Sequence, residues 1–210
     1  MLGIDIYHGE GDVDFKKVKE DGYEFVIVKL GGSEKSKDGW TDPRFYENIL
    51  KAKDAGLHVG AYFFAGEWSC TWEQGLKDAA YAMKVLKGVK LDFPVFYDFE
   101  YPSASNPKGN TEACIAFCDT MEANRYYVGI YASDISGFKE RLIVKDLLPY
   151  DLWVARYGKE PEYVPSQGIK PCIWQYTSNG QVDGVQGRCD LDECYMDYPE
   201  IIVEKGFNNY

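Results

Sequence analysis

Histidine is nearly absent from this chain of 210 residues: His8 and His58 are the only two. Two isolated imidazoles argue against a histidine-rich metal centre, and the six cysteines, at 70, 114, 118, 172, 189 and 194, contain no tight Cys-x-x-Cys pair for zinc. Six thiols are also too few to scaffold a chain of this length with disulfides, so they read as structural thiols. No stretch approaches the roughly 20 continuous apolar residues of a membrane span. Basic runs are missing as well. Lys plus Arg number 23 against 34 acids, a net charge of −11, which excludes a nucleic-acid footprint and disfavours anionic membranes. There is no Gly-x-Gly-x-x-Gly fingerprint, phosphate loop, internal repeat or low-complexity linker. The expectation is therefore a single domain over residues 1–210, monomeric, with no cofactor and no bound metal. Met1-Leu2-Gly3-Ile4-Asp5 runs straight into a strand pattern without a leader, so the chain is expected to stay cytoplasmic until released, or to be trimmed from a longer one.

Aromatic residues are plentiful: 17 Tyr, 11 Phe and 5 Trp exceed what core filling requires and suit a protein that stacks flat ligand faces, sugars among them. The most informative stretch is Phe93-Pro94-Val95-Phe96-Tyr97-Asp98-Phe99-Glu100-Tyr101-Pro102. An apolar run bounded by prolines reads as a buried strand. Residues two apart on a strand share a face, so Asp98 and Glu100 project together from its carboxyl end. Charges there must be paired, hydrogen-bonded or open to a cavity. The structural alternative is an Asp that caps a turn and a Glu in a rim salt bridge.

Strand and helix signals alternate along the chain. Strands are predicted at Gly3–Tyr7, Glu24–Leu30, Leu57–Phe64, 93–100, Tyr126–Tyr131, Leu152–Ala155, Ile169–Tyr176 and Gln186–Leu191. Between them lie a helix from Phe15 capped by Asp14, and one opened by Asp42-Pro43 that carries Phe45, Ile49 and Ala52. A third carries Trp72, Leu76, Ala80 and Met83 inward. A fourth spans about Thr111 to Asn124, with Cys114, Phe117, Cys118 and Met121 inward, and a less regular one lies between Ser133 and Leu148. The last connections are too short for full helices. Eight strands joined this way predict an α/β fold, a parallel sheet closed into a TIM-like barrel of roughly (β/α)5(β)3, with an open doubly wound sheet as rival.

A barrel gathers its chemistry at the carboxyl ends of its strands. Those ends carry Asp5, Lys29, Tyr62, Asp98 with Glu100, Tyr131, Trp153, Gln175 and Asp190. Each alone has a structural explanation; together they put four carboxylates, a cation and several aromatics on one rim.

Gly3-Ile4-Asp5, Phe25-Val26-Ile27-Val28-Lys29, Ala55–Tyr62, Asp98-Phe99-Glu100, Leu152–Tyr157, Trp174-Gln175-Tyr176 and Asp190-Leu191-Asp192 occur in an order that resembles the family 25 glycoside hydrolases. These are the CH-type lysozymes, phage-type endolysin catalytic domains among them. The resemblance runs nearly end to end. It implies a barrel with about five full helices and muramidase activity: cleavage between N-acetylmuramic acid and N-acetylglucosamine in bacterial peptidoglycan, the expected partner. It makes Glu100 the general acid and places Asp98, Asp5 and Asp190 around the reacting sugar, with Lys29, Tyr62, Tyr131, Trp153 and Gln175 lining the groove. Retention is expected, by direct attack of Asp98 or through the substrate's acetamido group. The chain departs from the family pattern after Lys29, where an acidic contact is missing or moved to Glu34, and at Asp192, where the family usually has Asn. No separate wall-binding domain is visible. A catalytically silent glycan-binding barrel and a metal-dependent hydrolase are the alternatives; a binder has no need of a proton donor.

Overall fold

The computed structural model describes residues 1–210. Its strands are β1 (Leu2–Ile6), β2 (Phe25–Gly32), β3 (Trp40–Thr41), β4 (His58–Phe64), β5 (Val95–Asp98), β6 (Val128–Ser133), β7 (Asp151–Ala155), β8 (Ile173–Gly180) and β9 (Cys189–Cys194). Its helices are α1 (Phe15–Glu20), α2 (Phe45–Asp54), α3 (Trp72–Leu86), α4 (Pro107–Ala123), the single turn α5 (Tyr163–Ser166) and α6 (Tyr198–Lys205). The sheet order is β1-β9-β8-β7-β6-β5-β4-β2, and pairing of β1 with β2 closes it into a barrel, with the short β3 appended to β2. From β2 through β4 to β8, and between β1 and β2, neighbours run parallel.

Period-two alternation divides the apolar residues into two layers. Phe25, Ile27, Phe96, Trp153 and Ile173 point into the barrel. Val26, Val28, Tyr97, Ile130 and Val154 point outward under the helices. The barrel's lower end is plugged by α6, whose Tyr198 and Ile202 join the inner layer, with Tyr198 edge-on to Phe93 at 5.3 Å between ring centroids.

The wholly parallel expectation needs correction. The last strand is Cys189–Cys194 rather than 186–191, and it runs antiparallel to both β8 and β1. Only residues 181–188 link it to β8, too short for a parallel crossover of a dozen or more residues. The preceding strand is likewise shifted, from 169–176 to 173–180. The helix predicted over 133–148 is instead a π-turn at Asp134–Lys139 and a 3-10 turn at Val144–Leu147. Asp134 is buried and spends its carboxylate on the backbone N–H groups of Glu162, Tyr163 and Val164 at 2.8, 3.0 and 2.9 Å, which ties this segment to α5 instead of to a regular helix. In α3 the inward face is also different: Trp72 and Leu76 are exposed, while Gly75, Asp78, Ala79 and Ala82 are buried. Gly75 explains the rotation. A Cβ there would stand 2.3 Å from the Ala113 carbonyl oxygen, so α3 lies against α4 along its small and polar residues. Finally, α2 starts at Phe45, past Pro43, and Asp42 accepts the Arg44 N–H at 2.9 Å just outside it.

Candidate active site

On β5, Phe96 and Asp98 face inward while Tyr97 and Phe99 face the helices, so the first acid is carried to the upper end of the barrel by simple alternation. Glu100 follows just past the strand end and is exposed to solvent at the groove wall. Asp98 is only 5% exposed, and its Oδ1 has no hydrogen-bond partner. Burial, then the Glu100 charge, push the Asp98 carboxyl well above the usual carboxylate range, while the Lys29 ammonium pulls it back. The groove wall takes part of the water from Glu100 and raises it too, opposed by Lys29 and Arg141.

Lys29 is buried at the upper end of β2, just before a bulge at which Gly31 takes φ +143° and passes so close to the Trp40 carbonyl that no Cβ would fit. Its ammonium bonds Glu34 at 2.8 Å and sits 4.2 Å from the Phe64 ring centroid. Trp40 Nε1 donates to the other Glu34 oxygen at 2.8 Å. The acid expected beside Lys29 is thus supplied by Glu34.

Across the pocket a chain of hydrogen bonds fixes the third acid. The hydroxyls of Tyr131 and Tyr157 both donate to Gln175 Oε1, at 2.9 and 2.8 Å, which turns Gln175 Nε2 toward Asp5 Oδ2 at 2.7 Å. Trp153 Nε1 donates to Asp192 Oδ1 at 2.8 Å. Asp5 lies opposite Asp190 in the β1–β9 register. Burial first, then the Glu100 charge, push Asp190 up to about 6.

Asp5, Lys29, Tyr62, Asp98, Glu100, Tyr131, Trp153, Gln175 and Asp190 all line one pocket of about 260 Å³, so the structure brings together every residue singled out from the strand ends. Tyr7 and Phe64 line it too. Tyr7 stands two residues beyond Asp5, a spacing that could have flagged it. Asp192 stands out in the sequence only as a departure from a family pattern; it is fully buried beside Asp5. Tyr157 lies in a loop past β7, and no periodicity announces it. A second cavity of about 430 Å³, with Arg141, Arg156 and Tyr157 on its walls, shares Glu100 and Tyr131 with the first and extends it into a groove.

These acids have a measurable consequence for the fold. Asp5, Asp98, Glu100, Asp190 and Asp192 all have native pKa values above the ordinary ones. The native state therefore binds more protons than the unfolded state, and stability falls as pH rises from the unfolded carboxyl range of about 4 through the native values. Thermal unfolding is expected at a higher midpoint at pH 5 than at pH 7. A midpoint that rises over that interval would contradict the charge state assigned to the pocket.

The profile of the Glycosyl hydrolases family 25 matches residues 4–185. The chain belongs to this family. The autolytic lysozyme of Clostridium acetobutylicum is 32% identical over 197 residues, covering 92% of this chain and 55% of that protein. Lysozyme M1 of Streptomyces globisporus is 26% identical over 216 residues, covering 92% of this chain and 67% of that protein. The chain thus spans about half to two thirds of these relatives. Among solved structures, the CTP1L endolysin superposes with a TM-score of 0.81 at 28% identity, over 97% of this chain and 69% of that one. A family 25 glycosyl hydrolase from Bacillus anthracis shares the fold, with a TM-score of 0.80 at 22% identity over 97% of this chain and 92% of that one. Glycoside hydrolysis in general requires a carboxyl that protonates the leaving oxygen and a second group that steadies the positive charge at the anomeric carbon.

Proposed function

We propose that the chain hydrolyses the β-1,4 bond between N-acetylmuramic acid and N-acetylglucosamine in peptidoglycan, with Glu100 as general acid. The observation that carries this reading is the meeting of Asp98 and Glu100 with Asp5 and Asp190 in one aromatic-lined pocket. Glu100 is the acid open to the groove, where a glycosidic oxygen can reach it, whereas Asp98 lies deeper, next to the field of Lys29. Asp98 accordingly faces the anomeric carbon, as nucleophile or as support for the acetamido group, and either route retains configuration. Tyr62, Tyr131 and Trp153 form the apolar floor under the sugar ring, and Lys29 and Gln175 hold its neighbouring acids in place. The lysozymes among the relatives support the substrate class.

The test is turbidity loss of purified walls, with mass analysis of the soluble products and anomer detection by NMR. New reducing ends on muramic acid, first released as the β-anomer, are expected. Release of peptides would overturn the reaction class, and binding without turnover would leave a glycan-binding barrel. Loss of activity on adding a chelator would point to metal-dependent hydrolysis.

A further inference from the structure

Asp5 and Asp192 are two carboxylates side by side in the barrel interior with no cation between them. Asp192 is 0% and Asp5 8% exposed. In the β1–β9 register Asp192 stands opposite Gly3 and Asp190 opposite Asp5, so Asp192 is the diagonal neighbour of Asp5. On its other side Asp192 pairs with Gln175 of β8. The Phe25 ring packs over Gly3, where no Cβ would fit, and beside it the two carboxyl groups meet at hydrogen-bonding range.

The donors around them are already assigned. Gln175 Nε2 serves Asp5 Oδ2, while Gln175 Oε1 accepts from the two phenols. Trp153 Nε1 serves Asp192 Oδ1. Asp192 Oδ2 is buried and receives no other donor. The one cation lining the pocket, Lys29, is held by Glu34 at 2.8 Å. The remaining titratable groups make matters worse for a second charge. Asp190 on the same strand adds its field to Asp5, with Asp98 and Glu100 across the pocket and Glu10 in the turn after β1. Tyr62, Tyr131, Tyr157 and Cys189, whose protons are held more tightly than usual, bring no positive charge. Two anions in contact in a dry interior repel too strongly to persist, whereas one proton between them turns the repulsion into a charge-assisted hydrogen bond.

We propose that Asp192 is a positioning residue: it shares one proton with Asp5 at neutral pH, the hydrogen residing on Asp5 and the charge on Asp192. Trp153 fixes the anion on Asp192, and the proton on Asp5 fixes the side chain that faces the sugar. Asp5 then acts as a neutral group in the reaction, leaving Asp98 and Asp190 as the acids that face developing positive charge. This rests on the reading of the pocket as a glycosidase site, but the proton itself can be detected without turnover.

Difference infrared spectra of the free protein at pH 7, wild type against Asp192→Asn and against Asp5→Asn, test it. Both changes are isosteric, and each supplies an N–H where the shared O–H stood. A carbonyl band of a protonated carboxyl, present in the wild type and lost in both variants, is expected. The kinetic readout is the pH profile of kcat/KM on walls. Asp192→Asn removes the anion that holds the proton on Asp5, so the alkaline fall of the variant should begin at lower pH than that of the wild type. Absence of the band in the wild type overturns the shared proton whether or not the enzyme is active. A band with alkaline limbs that coincide in the two proteins overturns the positioning role. A wild type that shows the band but cleaves no walls refutes the muramidase reading and leaves the proton pair standing.

Discussion

Glu100→Gln is expected to lower kcat on peptidoglycan by about 10²–10⁴-fold, the usual worth of a positioned proton donor, with little change in KM or melting temperature. The fold should not notice the change, because the Glu100 side chain is exposed and has no salt bridge. The chemistry should notice it, since glutamine cannot protonate the departing oxygen. In the free protein burial raises both acids and Lys29 opposes the rise at each, while Glu100 keeps part of its water. A glycan lying along the groove strips that water from Glu100 and raises its pKa, so the donor becomes an effective acid when it is covered. The alkaline limb of kcat, which reports the complex, should therefore lie at higher pH than that of kcat/KM, which reports the free enzyme. Undiminished kcat in the glutamine variant would remove Glu100 from the role, and coincident limbs would remove the binding-induced shift.

The acid pair was legible in the sequence because charge at the end of an apolar strand is costly unless it has a use; alternation fixes the face of Asp98, whereas Glu100 lies just past the strand end. The same alternation located Asp5, Lys29, Tyr131, Trp153 and Gln175, each an inward residue near the upper end of its strand. Direction was harder to see. Cys189–Cys194 has the composition of any barrel strand, and only the short link from β8 betrays that it runs antiparallel. The inward face of α3 was missed for a different reason: its buried stripe consists of Gln74, Gly75 and Asp78 as much as of alanines, so a hydrophobic pattern selects the wrong side. The irregular segment after Ser133 has a similar cause, since Asp134 is a buried carboxylate that bonds three distant N–H groups. Polar groups used inside the fold are the common cause, because their partners lie far away along the chain.

Asp78 is the clearest of these, and Asp78→Ala is expected to cost about 3–5 kcal/mol of stability, a fall of about 10 °C in melting midpoint for a chain of this size. Asp78 is 1% exposed. Its Oδ2 accepts from Tyr97 Oη at 2.6 Å, Ser69 Oγ at 2.7 Å and Ser33 Oγ at 3.2 Å, and its Oδ1 from Gln74 Nε2 at 2.9 Å. Burial raises its pKa, and these four bonds oppose that rise; none comes from a cation. Removing the carboxylate strands the buried donors, which is more costly than losing one exposed ion pair. Asp78→Asn should cost less, since its carbonyl can keep the cluster on the Oδ2 side and only the bond from Gln74 Nε2 is lost. The damage reaches the pocket by a short path. Ser33 closes the segment just past β2 and its Oγ also accepts the Gly66 N–H at 2.9 Å, while Glu34, the next residue, holds Lys29. Tyr97 immediately precedes Asp98 on β5. The alanine variant should therefore lose activity below its melting transition as well as stability, with a larger effect on kcat than Asp78→Asn. An alanine variant that melts within about 2 °C of the wild type would show that this buried carboxylate is not what ties α3 to the barrel.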